Sequence, residues 1–286
     1  MKRNEFLHLM GGAVAAFTLN DLMAGVKQNP VGKPMPVLFV GHGSPMNAIE
    51  DNEFSRAWKS LGKELPAPKA ILCISAHWQT RGTKVTMNER PETIHDFGGF
   101  PKALFDAQYP APGAVEMAKA TIAGVPGGVI HGDLEWGLDH GTWSVLKPMF
   151  PAANIPVFQM SLDYNLNPEK HYQLASQLSF LRKKGVLIIG SGNIVHNLGL
   201  INWGGKAFDW AIEFDALVKN RLEKFEHKDL IHYDKLGKSA QLSIPTNEHY
   251  LPMLYIAALA GRNESFRFFN AKTEMGSISM RSFIVG

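Results

Sequence analysis

Histidine is the residue type best placed to do chemistry in this sequence. There are eleven histidines and a single cysteine among 286 residues. One cysteine builds neither a disulfide framework nor a thiolate metal cage. Its setting, Ala70-Ile71-Leu72-Cys73-Ile74, reads as a small buried core position. Any metal is therefore held by imidazole and carboxylate. Three apolar runs each lead into a histidine. Val37-Leu38-Phe39-Val40 enters Gly41-His42-Gly43-Ser44-Pro45, and the run at 71–76 enters His77-Trp78. The run at 186–189 enters Gly190-Ser191-Gly192-Asn193, with His196 just beyond. Two further candidates are His140, in Asp139-His140-Gly141-Thr142-Trp143, and His249, in Asn247-Glu248-His249-Tyr250-Leu251-Pro252. Imidazole suits Zn, Fe, Cu and Ni. His95 and His131 stay open. His8, His227 and His232 fall in the leader or in polar segments and read as surface positions, and His171 reads as solvated on a polar helix face.

The elements that must position these side chains follow from the hydrophobic pattern. Strands are predicted at 36–40, 70–76, 157–162 and 186–189, as apolar runs bounded by Gly and Pro. Helices are predicted at 54–65, 115–122, 168–182, 207–225 and 248–259, and two more strands at 266–269 and 279–285. This alternation predicts an α/β fold, a single domain whose mostly parallel central sheet is flanked by helices. In such sheets ligands collect outside the carboxyl ends of the strands, so histidines that follow separate strands converge there. The segment 97–112, rich in Gly, Pro and aromatics, reads as a binding loop.

Composition narrows the function classes. Apolar residues make up 45% and charged residues 19%, and the net charge is only +3, so the chain reads as a globular protein with no nucleic-acid partner. The densest basic cluster, Arg182-Lys183-Lys184, is expected to cap a helix C-terminus. No apolar stretch reaches the roughly 20 residues that a membrane span needs. Residues 1–33 are read as a leader and linker. Lys2 and Arg3 precede a small-residue apolar stretch, the layout of an export signal. Arg3-Asn4-Glu5-Phe6-Leu7 resembles a twin-arginine signal with Asn4 in place of the second arginine, which makes a periplasmic location the expectation and a cytoplasmic one its alternative.

Other catalytic templates fail. There is no Gly-x-Ser-x-Gly elbow, phosphate loop or His-Glu-x-x-His motif. The histidine motifs, taken in order with Asp96-Phe97-Gly98-Gly99-Phe100-Pro101 and Tyr109-Pro110-Ala111-Pro112-Gly113, resemble the 4,5-DOPA extradiol dioxygenase family. These are class III extradiol enzymes related to the catalytic subunit of protocatechuate 4,5-dioxygenase. The resemblance implies that residues 34–286 form an extradiol ring-cleaving dioxygenase domain. Its substrates would be a catechol such as DOPA and O2, and it would carry one divalent metal per chain, Fe(II) or Zn(II). By the same resemblance His42, His77 and His249 bind the metal. His196 is a further ligand or the acid/base residue, and His140 faces the substrate. Aromatics of the 97–109 segment (Phe97, Phe100, Phe105 and Tyr109) are expected either to wall the pocket or to pack locally into the core. Two rival readings use the same histidines: a zinc-dependent hydrolase with Glu248 as general base, and a non-enzymatic metal-binding protein.

Overall fold

The computed structural model describes residues 33–286, so the leader, its export-signal reading and His8 lie outside the described residues. The first half carries β1 (Val37–Gly41), α1 (Glu53–Glu64), β2 (Ala70–Thr80), β3 (Thr83–Thr86), α2 (Lys102–Phe105), α3 (Val115–Gly124), β4 (Ile130–Asp133) and α4 (His140–Met149). After it come β5 (Val157–Asp163), α5 (Pro168–Ser176), α6 (Ser179–Lys183), β6 (Val186–Gly192), α7 (Asp209–Glu223), α8 (His227–Ile231) and α9 (Lys238–Ser243). The chain closes with α10 (Leu251–Leu259), β7 (Phe266–Phe269), β8 (Thr273–Glu274), β9 (Ile278–Ser279) and β10 (Ser282–Val285).

Eight strands form the main sheet in the order β4-β3-β5-β2-β6-β1-β10-β7. The central four, β5, β2, β6 and β1, are parallel, and antiparallel pairs lie towards the edges. Side chains alternate across a strand, so a central strand feeds two cores. On β1, Val37 and Phe39 enter one core while Leu38 and Val40 enter the other. On β2, Leu72 and Ile74 oppose Ile71 and Cys73 in the same way. Helices α3, α5, α7 and α10 cover the first face, and α1 and α4 the second. Helix α1 shows how sequence sets the cover. Asn52 and Ser55 form a reciprocal capping box at its start, and Phe54, Trp58 and Leu61 recur at helical spacing as its buried stripe.

Several elements differ from the sequence reading. The helix expected at 168–182 is two, because Gln177 and Leu178 close tighter three-residue turns onto Leu174 and Ala175. That turn keeps Leu174, Leu178 and Leu181 in one core. Strand β2 runs on to Thr80, and the strands β3 and β4 and the helix α4 lie where the sequence pattern predicts no element. The last long helix starts at Leu251 rather than 248, leaving His249 ahead of it.

Three polar side chains are buried where the sequence suggested surface. His171 is fully buried, its Nδ1 2.9 Å from the Tyr255 hydroxyl, because α10 packs over the face of α5 that looked polar. His227 is buried against Tyr172, with Nδ1 2.9 Å from that hydroxyl. Arg182 does lie in the last turn of α6, as expected, but it is buried. Its guanidinium donates to the carbonyls of Met35 and Leu259 and pairs with both carboxylate oxygens of Glu264. It ties the start of β1 to the end of α10. Removing a buried charge that satisfies several acceptors leaves all of them unpaired. Arg182→Met should therefore lower the unfolding free energy by about 3 kcal/mol. A urea midpoint within error of the parent would refute that role.

Candidate metal centre and active site

Strands β2, β6 and β1 are neighbours, and their carboxyl ends lie level, with Gly41 opposite Gly192 and Ser75 opposite Ser191. His42 leaves β1 at that level, its backbone N–H donating to Gly192 O at 3.1 Å. Its Nδ1 is 2.9 Å from Ser191 Oγ. The Ser191 hydroxyl donates its one proton to the Gly141 carbonyl at 2.5 Å. The serine oxygen must then accept from His42 Nδ1–H, which leaves the lone pair on Nε2. That Nε2 lies 3.1 Å from Nε2 of His77.

His77 sits where β2 and β5 lose register. Ile74 pairs with Met160 and Gln79 with Leu162, so β2 carries extra residues across the span and its side chains are re-aimed. Its Nδ1 faces Asp96 Oδ2 at 3.6 Å. The same carboxylate holds His140. As the first residue of α4, His140 has a backbone N–H with no partner inside the helix. That N–H donates to Asp96 Oδ1 at 2.8 Å, and His140 Nδ1 is 3.0 Å from Asp96 Oδ2. His249 is brought in by close backbone approach. A side chain at Gly192 would put its Cβ 2.1 Å from the His249 carbonyl oxygen, a distance only glycine permits. Its Nδ1 lies 3.2 Å from Glu248 Oε1. His196 is fixed by its backbone, which donates to Ser243 O at 2.9 Å. Its ring stacks on His249 with centroids 3.5 Å apart and planes 5° apart. Neither of its ring nitrogens has a hydrogen-bond partner among the described residues.

The five sequence-predicted histidines are thus brought together. Ring centroids are 3.8 Å apart for His77 and His140, 5.0 Å for His42 and His77, and 5.3 Å for His42 and His249. Possible ligand atoms of His42, His77 and His140 lie within 4.8 Å of one another, as do those of His196, Glu248 and His249. Burial, then repulsion from neighbouring imidazoles, holds His42 and His249 well below the usual histidine pKa. Burial takes His77 to about 3, with His140 adding to the shift and Asp96 opposing it. Burial likewise takes His196 to about 4, against the pull of Glu248. Burial on its own raises the Asp96 carboxyl, but hydrogen bonds and charge from His140 and the charge of His77 outweigh it and hold Asp96 below the usual range.

The donor set fits a divalent metal. Four imidazoles turn Nδ1 towards an oxygen, hydrogen-bonded for His42 and His249 and at 3.6 and 3.0 Å from Asp96 for His77 and His140, which points Nε2 inward, the arrangement in which an outer acceptor fixes a ligand's tautomer. Asp96 and Ser191 carry no signal of this role in the sequence. Asp96 lies far from both of its partners in the chain, and Ser191 reads as one more small residue in a strand-end turn. The histidines line a cavity of about 460 Å³ whose walls include Phe97, Phe100 and Trp203. Two other aromatics of the 97–109 segment lie elsewhere. Phe105 packs behind Phe97 and is partly exposed, and Tyr109 is a core residue whose hydroxyl donates to Phe150 O. His95 packs behind Phe97, and its Nε2 lies 2.9 Å from Ala107 O, while His131 is exposed on β4. Cys73 is a core residue, and burial pushes its thiol pKa up. No helix among the described residues is long and apolar enough to cross a membrane.

Comparison with known proteins identifies the family. The family described as the catalytic LigB subunit of aromatic ring-opening dioxygenase matches residues 34–280. A protein of Escherichia coli strain K12 named 4,5-DOPA dioxygenase extradiol is 45% identical over 259 residues, 88% of this chain and 95% of the relative. A Beta vulgaris protein of the same name is 34% identical over 252 residues, 86% of this chain and 94% of the relative. The crystal structure of an uncharacterized protein from Escherichia coli K12 superposes with a TM-score of 0.78 at 39% identity, covering 88% of this chain and all of that one. The chain belongs to the family of the catalytic LigB subunit of aromatic ring-opening dioxygenases, and it is a metal-dependent extradiol ring-opening dioxygenase.

Proposed function

We propose that this protein opens catechols beside the diol, DOPA among them, using Fe(II) held by His42, His77 and His249. The observation that carries this reading is the convergence of Nε2 lone pairs on the floor of a cavity with aromatic walls. DOPA enters from the names of the Escherichia coli and plant relatives. In the net reaction one ring carbon–carbon bond breaks. The carbon that bore a hydroxyl becomes a carboxylate, its neighbour becomes an aldehyde, and both atoms of O2 are kept, so no external reductant is needed. A bound Fe(II) would anchor the two catechol oxygens and let electron density pass from ring to O2, which redox-inert Zn(II) does not do.

The chain's own residues supply the rest. His196 is the acid/base residue. Burial keeps its imidazole neutral, its ring nitrogens have no other hydrogen-bond partner among the described residues, and a lone pair is free to take a phenolic proton. His140, oriented by Asp96, directs Nε2 to the substrate oxygens. Phe97 and Phe100 cover the ring and exclude water. The zinc hydrolase reading would use Glu248 to activate water, but Glu248 Oε1 lies behind His249 at its Nδ1 and accepts from Thr246, which leaves only Oε2 for that role.

Anaerobic loading with Fe(II), followed by oxygen-electrode assay with DOPA and simple catechols, tests the whole reading. Equal oxygen uptake by Zn(II)-loaded protein would remove the Fe(II) assignment. His42→Ala and His77→Ala should each abolish metal binding. His196→Gln should retain metal and lose roughly 10²–10⁴-fold in turnover. Loss of metal in all three alike would make His196 a ligand instead. Asp96→Asn preserves the acceptor for the His140 N–H but turns a donor towards Nδ1 of His140 and His77. Metal affinity, read by chelator competition, should fall about 10–100-fold. An affinity within about twofold of the parent would show that Asp96 does not position the ligands.

A further inference from the structure

We infer that the outer part of the cavity is a subsite for an apolar ring substituent. Catechols with uncharged hydrophobic side chains are then used in preference to amino-acid catechols such as DOPA. This rests on the ring-opening reading above and specifies its substrate class. The cavity divides sharply by polarity. Its floor is histidine, whereas Phe97 and Phe100 form one wall and Leu198, Ile201, Trp203 and Met275 contribute to the rest. Among the described residues no lysine, arginine, aspartate or glutamate lines it. Ser44 is the one lining hydroxyl, and it already accepts the Met46 N–H at 3.3 Å.

Size and exposure point the same way. A cavity of about 460 Å³ exceeds what a bare catechol ring needs and lies within the roughly 300–1,000 Å³ that accepts a drug-sized molecule. Trp203 is 84% exposed and Leu198 58% exposed, so the mouth offers apolar surface for a bound side chain to cover. A hydrocarbon substituent gains from leaving water there, by a factor of about four per buried methylene. The ammonium and carboxylate of an amino-acid side chain meet no charged partner on these walls and lose hydration on entering.

The test uses the full Fe(II)-loaded chain and a substrate series: catechol, 4-methyl-, 4-propyl- and 4-butylcatechol, DOPA and 3-(3,4-dihydroxyphenyl)propionate. Oxygen uptake should show kcat/KM rising about fourfold per methylene, with DOPA at least about tenfold below 4-propylcatechol. Anaerobic calorimetry with the same series should give dissociation constants falling in the same order, independently of turnover. In Trp203→Ala the ratio of 4-butylcatechol to catechol efficiency should drop by about threefold or more. In Ile201→Lys the propionate should gain on 4-propylcatechol by about fivefold or more. Catechol turnover with a flat series, or with DOPA equal to or better than 4-propylcatechol, overturns the subsite and leaves the ring-opening reading standing. Absence of oxygen uptake with every catechol, despite bound Fe(II), overturns both.

Discussion

Four clustered imidazoles, His42, His77, His196 and His249, place one demand on everything around them, which is that they stay neutral. Burial removes the water that would stabilise a proton, and each charged ring would raise the cost of charging the next. Neutrality alone is not enough, because a neutral imidazole has two faces, one donating and one accepting. A ligand needs the accepting face inward. The protein settles this by placing an oxygen acceptor behind four of the site's five histidine rings: Ser191 behind His42, Asp96 behind His77 and His140, and Glu248 behind His249. The acceptors themselves are held. Ser191 is committed to the Gly141 carbonyl and Asp96 to the His140 N–H. Beneath them Asp139 receives Ser75 Oγ and Gln159 Nε2, each at 2.7 Å, and caps α4, so β2, β5 and the start of α4 are tied together.

Backbone proximity does the remaining positioning. The carbonyl of His249 lies so near β6 that only glycine fits at 192, and the Asn193 N–H closes the contact at 2.8 Å. Gly41 plays the matching part on β1, where a Cβ would sit 2.7 Å from the backbone of Met280. Two strands of the sheet thus run past chain that belongs to later segments. The histidine after one strand and the histidine before α10 are brought to the same point without either lying on a long loop.

What the sequence makes legible follows from how local its cause is. Strands β1, β2 and β6 are buried on both faces, so they read as continuous apolar runs, and the histidines at their ends announce themselves by position. Helix α1 carries its own cap and stripe. His249 and His140 are another matter. Each sits at or just before a helix start, and what brings them in is the Gly192 approach and the Asp96 carboxylate, contacts between residues dozens of positions apart. Asp96 was visible only as part of a loop motif. The burial of His171 and Arg182 is silent in the sequence for the same reason: what covers them, α10 over His171 and Glu264 against Arg182, lies far along the chain and leaves no periodic trace near either residue. Composition does not say which way an irregular segment turns its rings, so Phe97 and Phe100 line the pocket while Phe105 and Tyr109 do not.

The apolar walls and the neutral floor are two results of a single cause. Phe97, Phe100 and the residues around Trp203 keep the cavity poor in polar groups, and in a low-dielectric space a charge without a partner is costly wherever it sits. That cost falls on a proton entering His42, His77, His196 or His249, which keeps their lone pairs available. It falls equally on a charged substituent entering with the substrate. A second polar wall would ease the entry of zwitterionic catechols, but it would also bring water and counter-charge towards the imidazoles and weaken the hold on their protonation state. Competence to bind the metal and selectivity for an uncharged side chain are therefore coupled through solvation. Polar groups added at the mouth, beyond the Phe97 ring and away from the floor, are the route by which one can change without the other.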